Sequence, residues 1–92
     1  MTVESSTVET LENKRKRLIF RSWHRGTREM DIIMGSFADR HIPEFSESQL
    51  SEYDDILSLN DPDLYNWYTQ KEDVPANLDT EVMGLLLSFK LK

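Results

Sequence analysis

The side chains best suited to chemistry are concentrated in one stretch of the sequence, residues 23–31. This stretch reads Trp23-His24-Arg25-Gly26-Thr27-Arg28-Glu29-Met30-Asp31. Its core, Arg-Gly-x-x-Glu, has no evident role in helix stability, because Arg before Glu at i, i+4 is the less favourable order and because a basic residue at a helix start opposes the macrodipole. The stretch is therefore the leading candidate for a functional site.

The rest of the sequence lacks the usual components of a catalytic centre. There is no cysteine, which excludes thiol catalysis and thiolate metal sites. The only histidines are His24 and His41, and three glycines cannot build a glycine-rich phosphate loop. His41 lies on an apolar helix face and is predicted to be a core or rim residue. We therefore expect a protein that is not an enzyme and that has neither a metal site nor a tightly bound cofactor.

Basic residues cluster around the start of this stretch. Seven of the eleven lie between residues 14 and 28, whereas eleven of the seventeen acidic residues lie from Glu44 onward. Four basic residues fall within roughly 80° of one another on a helix: Lys14, Arg17, Arg21 and Arg25. Such a stripe suits a solvated face, an acidic protein partner or phosphate groups. The alternative function is therefore a helical nucleic-acid-binding or generic protein-interaction module using residues 14–28, although the acidic body disfavours nucleic acid.

Two helices must position the stretch, one on each side of it. Leu11 to Trp23 contains good helix formers and neither glycine nor proline, which predicts the first helix. Gly26 is its natural stop, because glycine adopts the left-handed conformation at a helix C-cap. Thr27 can cap a second helix that runs to about His41, since apolar residues recur there with helical spacing.

Three more helices are predicted after the second one. Ser46 begins a capping box for a third helix that ends near Leu57. Asp61, followed by Pro62 at the first helical position, is predicted to cap a fourth helix. Residues 79–89 are predicted to form the fifth. No segment alternates between polar and apolar residues with period two, as a strand would.

These patterns predict an all-α fold, a compact bundle of five short helices. Residues 1–10 are expected to be a flexible N-terminal tail, and residues 11–92 a single helical-bundle domain. No apolar run approaches about 18 residues, so we expect no membrane insertion. The first ten residues resemble neither a signal peptide nor a transit peptide, which predicts a bacterial cytoplasmic protein. A monomer is expected.

The helical register also makes a prediction about the surface. If it continues through Gly26, four residues form one stripe opposite the core face of the second helix: Arg25, Glu29, Ile32 and Ser36. Charged groups beside an exposed aliphatic side chain are typical of a protein-binding surface. An ordinary salt bridge between Arg25 and Glu29 is the alternative. Gly26 has two possible roles of its own, as a helix stop or as a flat point where a partner backbone approaches closely.

Two motifs together resemble those of a known family. The first is Arg25–Asp31, and the second reads Asp61-Pro62-Asp63-Leu64-Tyr65-Asn66-Trp67. They resemble the FAD assembly factors of succinate dehydrogenase, the flavinators, and the resemblance extends over about residues 14–89. It implies a five-helix bundle that binds the flavoprotein subunit of succinate dehydrogenase, and in some bacteria that of fumarate reductase. Such a protein promotes covalent attachment of FAD to a histidine of this client, so FAD belongs to the client.

The resemblance also implies which residues bind the partner. Arg25, Gly26 and Glu29 match the family's motif and would lie at the contact. Four neighbours extend this set: Trp23, His24, Arg28 and Asp31. The stripe predicted from the helical register adds Ile32. A small bundle would promote the attachment by binding one conformation of the client better than others. On this hypothesis Arg25→Ala loses client binding while thermal stability changes little.

Overall fold

Five α-helices follow one another in the computed structural model, which describes residues 9–91. They are α1 (Leu11–Trp23), α2 (Arg28–His41), α3 (Glu47–Leu57), α4 (Asp61–Tyr68) and α5 (Glu81–Ser88), with short 3-10 helices at Ile42–Glu44 and Ala76–Leu78. This described part of the chain contains no strand. The predicted all-α fold of five short helices is therefore confirmed.

Polar side chains fix the start of α1. Thr10 acts as the N-cap and accepts a hydrogen bond from the backbone N–H of Asn13 at 3.0 Å. Glu9 accepts two hydrogen bonds from the guanidinium of Arg17, at 2.7 and 3.0 Å. The last two residues of the predicted tail thus contact or cap α1, and its other residues, 1–8, lie outside the described part of the chain.

The starts of α3 and α4 also depend on caps. The predicted capping box of α3 is confirmed, because Ser46 and Gln49 each accept the other's backbone N–H through a side-chain oxygen. At α4 the prediction is wrong by one residue. Asn60 is the N-cap and accepts a hydrogen bond from the backbone N–H of Asp63 at 3.0 Å. The carboxylate of Asp61 is therefore available to another partner.

The end of the chain differs from the prediction in the same way. The predicted helix at 79–89 begins later, at Glu81, because Thr80 caps it by accepting a hydrogen bond from the backbone N–H of Met83. It ends at Ser88, and the backbone of Phe89 is extended. The loop before it contains the second 3-10 helix.

The hydrophobic core draws side chains from all five helices. Its buried members include Leu18, Met30, Ile33, Met34, Phe37, Ala38, Leu50, Tyr53, Leu57, Leu64, Trp67, Val82 and Leu86. The hydroxyl of Tyr53 lies 2.6 Å from that of Ser22 and also donates to the carbonyl of Met34. Within residues 9–91 every buried polar side-chain atom has such a partner. None of the described helices is long and apolar enough to span a bilayer.

The helices α1 and α2 are in close contact where Trp23 packs against Gly35. A Cβ atom on Gly35 would lie 2.1 Å from Cδ2 of the indole ring. The missing side chain is therefore what allows the ring to pack there. The indole Nε1 donates to Asp39 Oδ1 at 3.3 Å. This contact fixes α1 on α2 just before the junction that contains the Arg-Gly-x-x-Glu motif.

His41 lies at the rim of the core, as predicted, within a group of aromatic rings. Its ring centroid is 4.6 Å from that of Phe37 and 5.8 Å from that of Phe45. Burial penalises the imidazolium and so lowers the pKa of His41, and the nearby Arg40 lowers it further while Glu44 opposes both effects. His41 is thus held in its neutral form near neutral pH.

This arrangement predicts that acid destabilises the fold through His41. Below about pH 6.5 the unfolded chain takes up a proton at His41 before the folded protein does, so the free energy of unfolding falls as the pH drops through this range. We expect urea denaturation at pH 8 and pH 5 to show a smaller drop for His41→Gln than for the wild type. His24→Gln, which leaves His41 in place, should keep the full drop. Equal drops for wild type and His41→Gln would contradict the assignment.

Candidate functional site

Arg25 is turned into the protein and fastens the α1–α2 junction to the α3–α4 junction. Its Nε donates to Asp61 Oδ1 at 2.9 Å, and a terminal nitrogen lies 2.8 Å from the same oxygen. Its terminal nitrogens also donate to the backbone carbonyls of Leu57 and Leu59 at the end of α3. The side chains of Arg25 and Asp61 are only 9% and 15% exposed. The guanidinium thus caps carbonyls that lack helical partners and also neutralises a carboxylate.

Asp31 closes the turn between α1 and α2. Its Oδ1 accepts hydrogen bonds from the backbone N–H groups of Arg25, at 2.5 Å, and of Gly26, at 3.2 Å. Gly26 has a φ of +137°, which residues with a side chain rarely adopt. Because α1 already ends at Trp23 with His24 as its C-cap, the predicted C-cap at Gly26 is wrong. The turn itself requires the glycine.

The predicted exposed stripe is only partly formed. Its prediction assumed that one helical register continues through the junction, but the chain leaves helical geometry between α1 and α2. Arg25 therefore faces Asp61, and the alternative of an Arg25–Glu29 salt bridge is wrong as well. Glu29 and Ile32 are exposed as predicted, Ile32 by 42%, whereas Ser36 is half-buried. The position of Arg25 is a correction that follows from tertiary structure alone.

The basic stripe of α1 is largely engaged within the protein. Arg17 and Arg21 donate to the two oxygens of Asp54 on α3, at 3.2 and 3.0 Å. Lys14 donates to the hydroxyl of Ser51, also on α3, at 3.2 Å. These contacts join α1 to α3 by polar pairs. The stripe therefore has an internal role, and its charges are less available to phosphate groups than the sequence indicated.

An open pocket of about 350 Å³ lies beside the motif. Its lining comes from the first turns of α2 and α4: Thr27, Glu29, Met30, Asp61, Pro62 and Tyr65. Met30 is buried, whereas Glu29 and Tyr65 are exposed. The carboxylate of Glu29 has neither a hydrogen-bond nor an ion-pair partner within residues 9–91. Because Arg25 binds Asp61, the buried ion pair ties together the two helix starts that form the pocket.

The remaining predicted site residues have different surroundings. Trp23 is half-buried against Gly35, so its main contact is inside the protein. His24 is exposed and stacks on Phe20 with 4.0 Å between ring centroids, and its Nδ1 lies 2.7 Å from the Phe20 carbonyl oxygen. Arg28 is exposed, with no ion-pair partner in the described part of the chain. The structure therefore leaves Gly26, Glu29, Ile32, His24 and Arg28 accessible to a partner.

The part of the chain that builds the junction and the pocket matches a known protein family. A family model described as "Flavinator of succinate dehydrogenase" matches residues 16–90. The chain belongs to this family. The match includes α2 and α4, which line the pocket, and it confirms the family resemblance that the two sequence motifs indicated.

Individual members of the flavinator family are similar over most of this chain. "Succinate dehydrogenase assembly factor 2, mitochondrial" of Dictyostelium discoideum is 39% identical over 82 residues, which are 89% of this chain and 58% of the relative. The assembly factor 2-A of Drosophila sechellia is 40% identical over 80 residues, 85% of this chain and 49% of the relative. The 2-B protein of Drosophila persimilis is 36% identical over the same share of this chain. The chain spans about half the length of the curated relatives it matches.

These relatives correct the predicted location. All three are eukaryotic proteins named as mitochondrial, so the prediction of a bacterial cytoplasmic protein is wrong. That prediction relied on the composition of the first ten residues. The family model matches residues 16–90, so those ten residues lie outside the part of the chain that is shown to resemble the family.

Of the six pocket residues, only Glu29 is a predicted site residue. Asp61 is predicted to be a helix cap, whereas the structure makes it the partner of Arg25. Tyr65 belongs to the second sequence motif, and its exposed ring lines the pocket. The sequence contains a signal for both residues, because Asp-Pro-Asp-Leu-Tyr is part of the second motif that resembles the family. Treating the two motifs as parts of one site would have found both residues.

Proposed function

We propose that this protein is an assembly factor that binds the flavoprotein subunit of succinate dehydrogenase and promotes covalent attachment of FAD to it. Support comes from its membership of the flavinator family and from relatives named succinate dehydrogenase assembly factor 2. One structural observation indicates which surface would bind the subunit. The motif places Glu29 on an open, exposed pocket while Arg25 fastens the pocket from within.

The residues of the motif then divide into contact and positioning roles. Glu29 presents to the client a carboxylate that has no partner among residues 9–91, and Ile32 adds exposed apolar area beside it. Gly26 leaves room for a client backbone to approach, since a Cβ there would meet only Asp61 Oδ2, at 3.8 Å. Arg25 and Asp31 act through the shape of the junction, because their polar groups are engaged inside the protein.

The proposed mechanism requires no chemistry from this chain. FAD and its acceptor histidine stay with the client, and the bundle binds the client conformation in which the two are correctly placed. The bundle shifts the client between two conformations only by the difference in its affinity for them. A rigid surface suits this role, because it fits one client conformation better than the other. We propose that the protein acts as a non-catalytic monomer. We also propose that the flavoprotein subunit of fumarate reductase is a second client in cells that contain both enzymes.

A nucleic-acid-binding function has weaker support. It would use the basic stripe of α1, where Arg17 and Arg21 both pair with Asp54 and Arg17 also pairs with Glu9. The chain carries a formal net charge of −6, which opposes binding to a polyanion. A generic adaptor function would need a different client, and the family match offers none.

Glu29→Gln tests the proposed contact, because it removes the charge and keeps the size of the side chain. We expect it to reduce capture of the flavoprotein subunit about tenfold and to reduce the covalent flavin bound to that subunit in co-expressing cells. The measurement is co-purification followed by in-gel flavin fluorescence of the subunit. The free energy of unfolding should fall by no more than about 0.3–1 kcal/mol, the loss of a helix-dipole interaction, since Glu29 is an exposed residue of the first turn of α2.

Glu47→Gln is the matched control. Glu47 is also an exposed glutamate in the first turn of a helix, so both variants lose the same interaction with a helix dipole. It lies beyond the other end of α2, about 20 Å along the helix axis. We expect full capture and full flavin attachment with Glu47→Gln. If neither the wild type nor this control captures the subunit, the proposed function is wrong.

A further inference from the structure

The pocket beside the motif combines three features that suit a cationic side chain. Its charged groups, Glu29 and Asp61, are carboxylates, Met30 and Pro62 add apolar surface, and one side is the aromatic ring of Tyr65. Glu29 supplies an exposed carboxylate that has no hydrogen-bond or ion-pair partner within residues 9–91. Asp61 also lines the pocket, and Arg25 binds only its Oδ1, which leaves Oδ2 without a hydrogen-bond partner within residues 9–91. These oxygens can accept hydrogen bonds from a donor that enters the pocket.

The aromatic side of the pocket already attracts a cation from within the chain. The ammonium of Lys71 lies 6.0 Å from the centroid of the Tyr65 ring, within the range of a cation–π contact. Tyr65 is 36% exposed, so part of the ring remains accessible. Met30 and Pro62 provide apolar surface for the methylene groups of a long side chain.

The two helix starts at the pocket do not leave an anion site. The caps Thr27 and Asn60 already accept backbone N–H groups of α2 and α4. The first turns carry acidic side chains, Glu29 on α2 and both Asp61 and Asp63 on α4. These carboxylates oppose an incoming anion and complement a cation.

We propose that the pocket receives an arginine side chain of the client protein, with its guanidinium between Glu29 and the ring of Tyr65. A planar guanidinium can bond a carboxylate through two N–H groups and stack on an aromatic face at once, which an ammonium cannot do. Its methylene groups would then lie over Met30 and Pro62. This inference rests on the proposed function, because it identifies the chemistry of the client group that meets Glu29.

The test uses the purified chain and small probes of known charge. Acetyl-arginine amide is titrated while backbone amide shifts are followed by NMR, with neutral acetyl-citrulline amide and acetyl-lysine amide in parallel. We expect saturable shifts at Glu29 and Tyr65 with a dissociation constant on the order of 10 mM for the arginine probe. The citrulline probe should give none, and the lysine probe should bind more weakly. Glu29→Gln and Tyr65→Leu should each weaken arginine binding severalfold, whereas Glu47→Gln should leave it unchanged.

Failure of this inference can be told apart from failure of the proposed function. If the wild type captures the flavoprotein subunit but the arginine probe gives no shifts at Glu29 and Tyr65, the arginine assignment is wrong and the proposed function stands. Equal binding of the citrulline or lysine probe would also overturn the assignment. If the arginine probe binds as expected and the subunit is not captured, the pocket chemistry stands and the client is wrong.

Discussion

Replacement of Arg25 by alanine is expected to lower the free energy of unfolding by about 2–4 kcal/mol, because it leaves Asp61 unpaired in a largely buried position and frees the carbonyls of Leu57 and Leu59. In a domain of this size the melting temperature should fall by roughly 10–20 °C. Urea and thermal denaturation followed by circular dichroism measure the change. The sequence alone predicts little change in stability for this variant. The experiment therefore distinguishes an exposed Arg25 from one that is bound inside the protein.

Arg28→Ala is the matched control for this prediction. Arg28 belongs to the same motif region and is exposed, without an ion-pair partner in the described part of the chain. We expect its stability to stay within about 0.5 kcal/mol of the wild type. Arg25→Lys keeps the positive charge and loses the planar fork, so it should fall between wild type and Arg25→Ala. If Arg25→Ala is as stable as Arg28→Ala, the interior role assigned to Arg25 is incorrect.

Replacement of Gly35 by alanine is expected to destabilise the fold by at least about 2 kcal/mol, because the new methyl group would overlap the ring of Trp23 in a close helix contact. The atom would lie 2.1 Å from Cδ2, and the indole cannot withdraw without leaving its place between α1 and α2. Chemical denaturation gives the size of the effect. The same shift of α1 should disturb the motif that follows Trp23, so client capture is expected to fall as well.

Two further variants test the cause of this effect. Gly84→Ala lies in α5 with no atom within 4 Å of the new Cβ, so it should stabilise the protein by about 0.5–1 kcal/mol through helix propensity. In a Trp23→Ala background the ring is absent, and adding Gly35→Ala should then cost no more than about 0.5 kcal/mol. Equal costs of Gly35→Ala in both backgrounds would show that the indole contact is not responsible.

The helices themselves could be predicted from local sequence because their signals are local. α1 has the predicted bounds, Thr27 caps α2 by accepting from the N–H of Met30, and Ser46 begins the predicted capping box. Each depends on residues within four positions of one another. The cap of α4 was displaced because Asn60 and Asp61 are both good N-caps, and local chemistry did not choose between them. Asp61 instead binds a residue that is distant in sequence, Arg25.

The candidate site could be predicted only in part. The motif was found at the correct place, and the exposure of Glu29 and Ile32 followed from the register of α2. The pocket was not foreseen, since Tyr65 and Pro62 come from a helix more than thirty residues further along the chain than Glu29. Side chains on separate helices become neighbours only when the bundle packs.

The five-helix class, most of the caps and the family follow from residue spacing and sequence motifs, which are local properties of the chain. The role of the motif's arginine depends on tertiary contacts. The chain turns at Gly26 instead of continuing one helix, and this turn directs Arg25 to Asp61, thirty-six residues away. A buried ion pair between two junctions is a long-range contact, and no local periodicity encodes it. Glu29 has no ion-pair or hydrogen-bond partner in the described part of the chain and lies at the surface, where it is available to a partner.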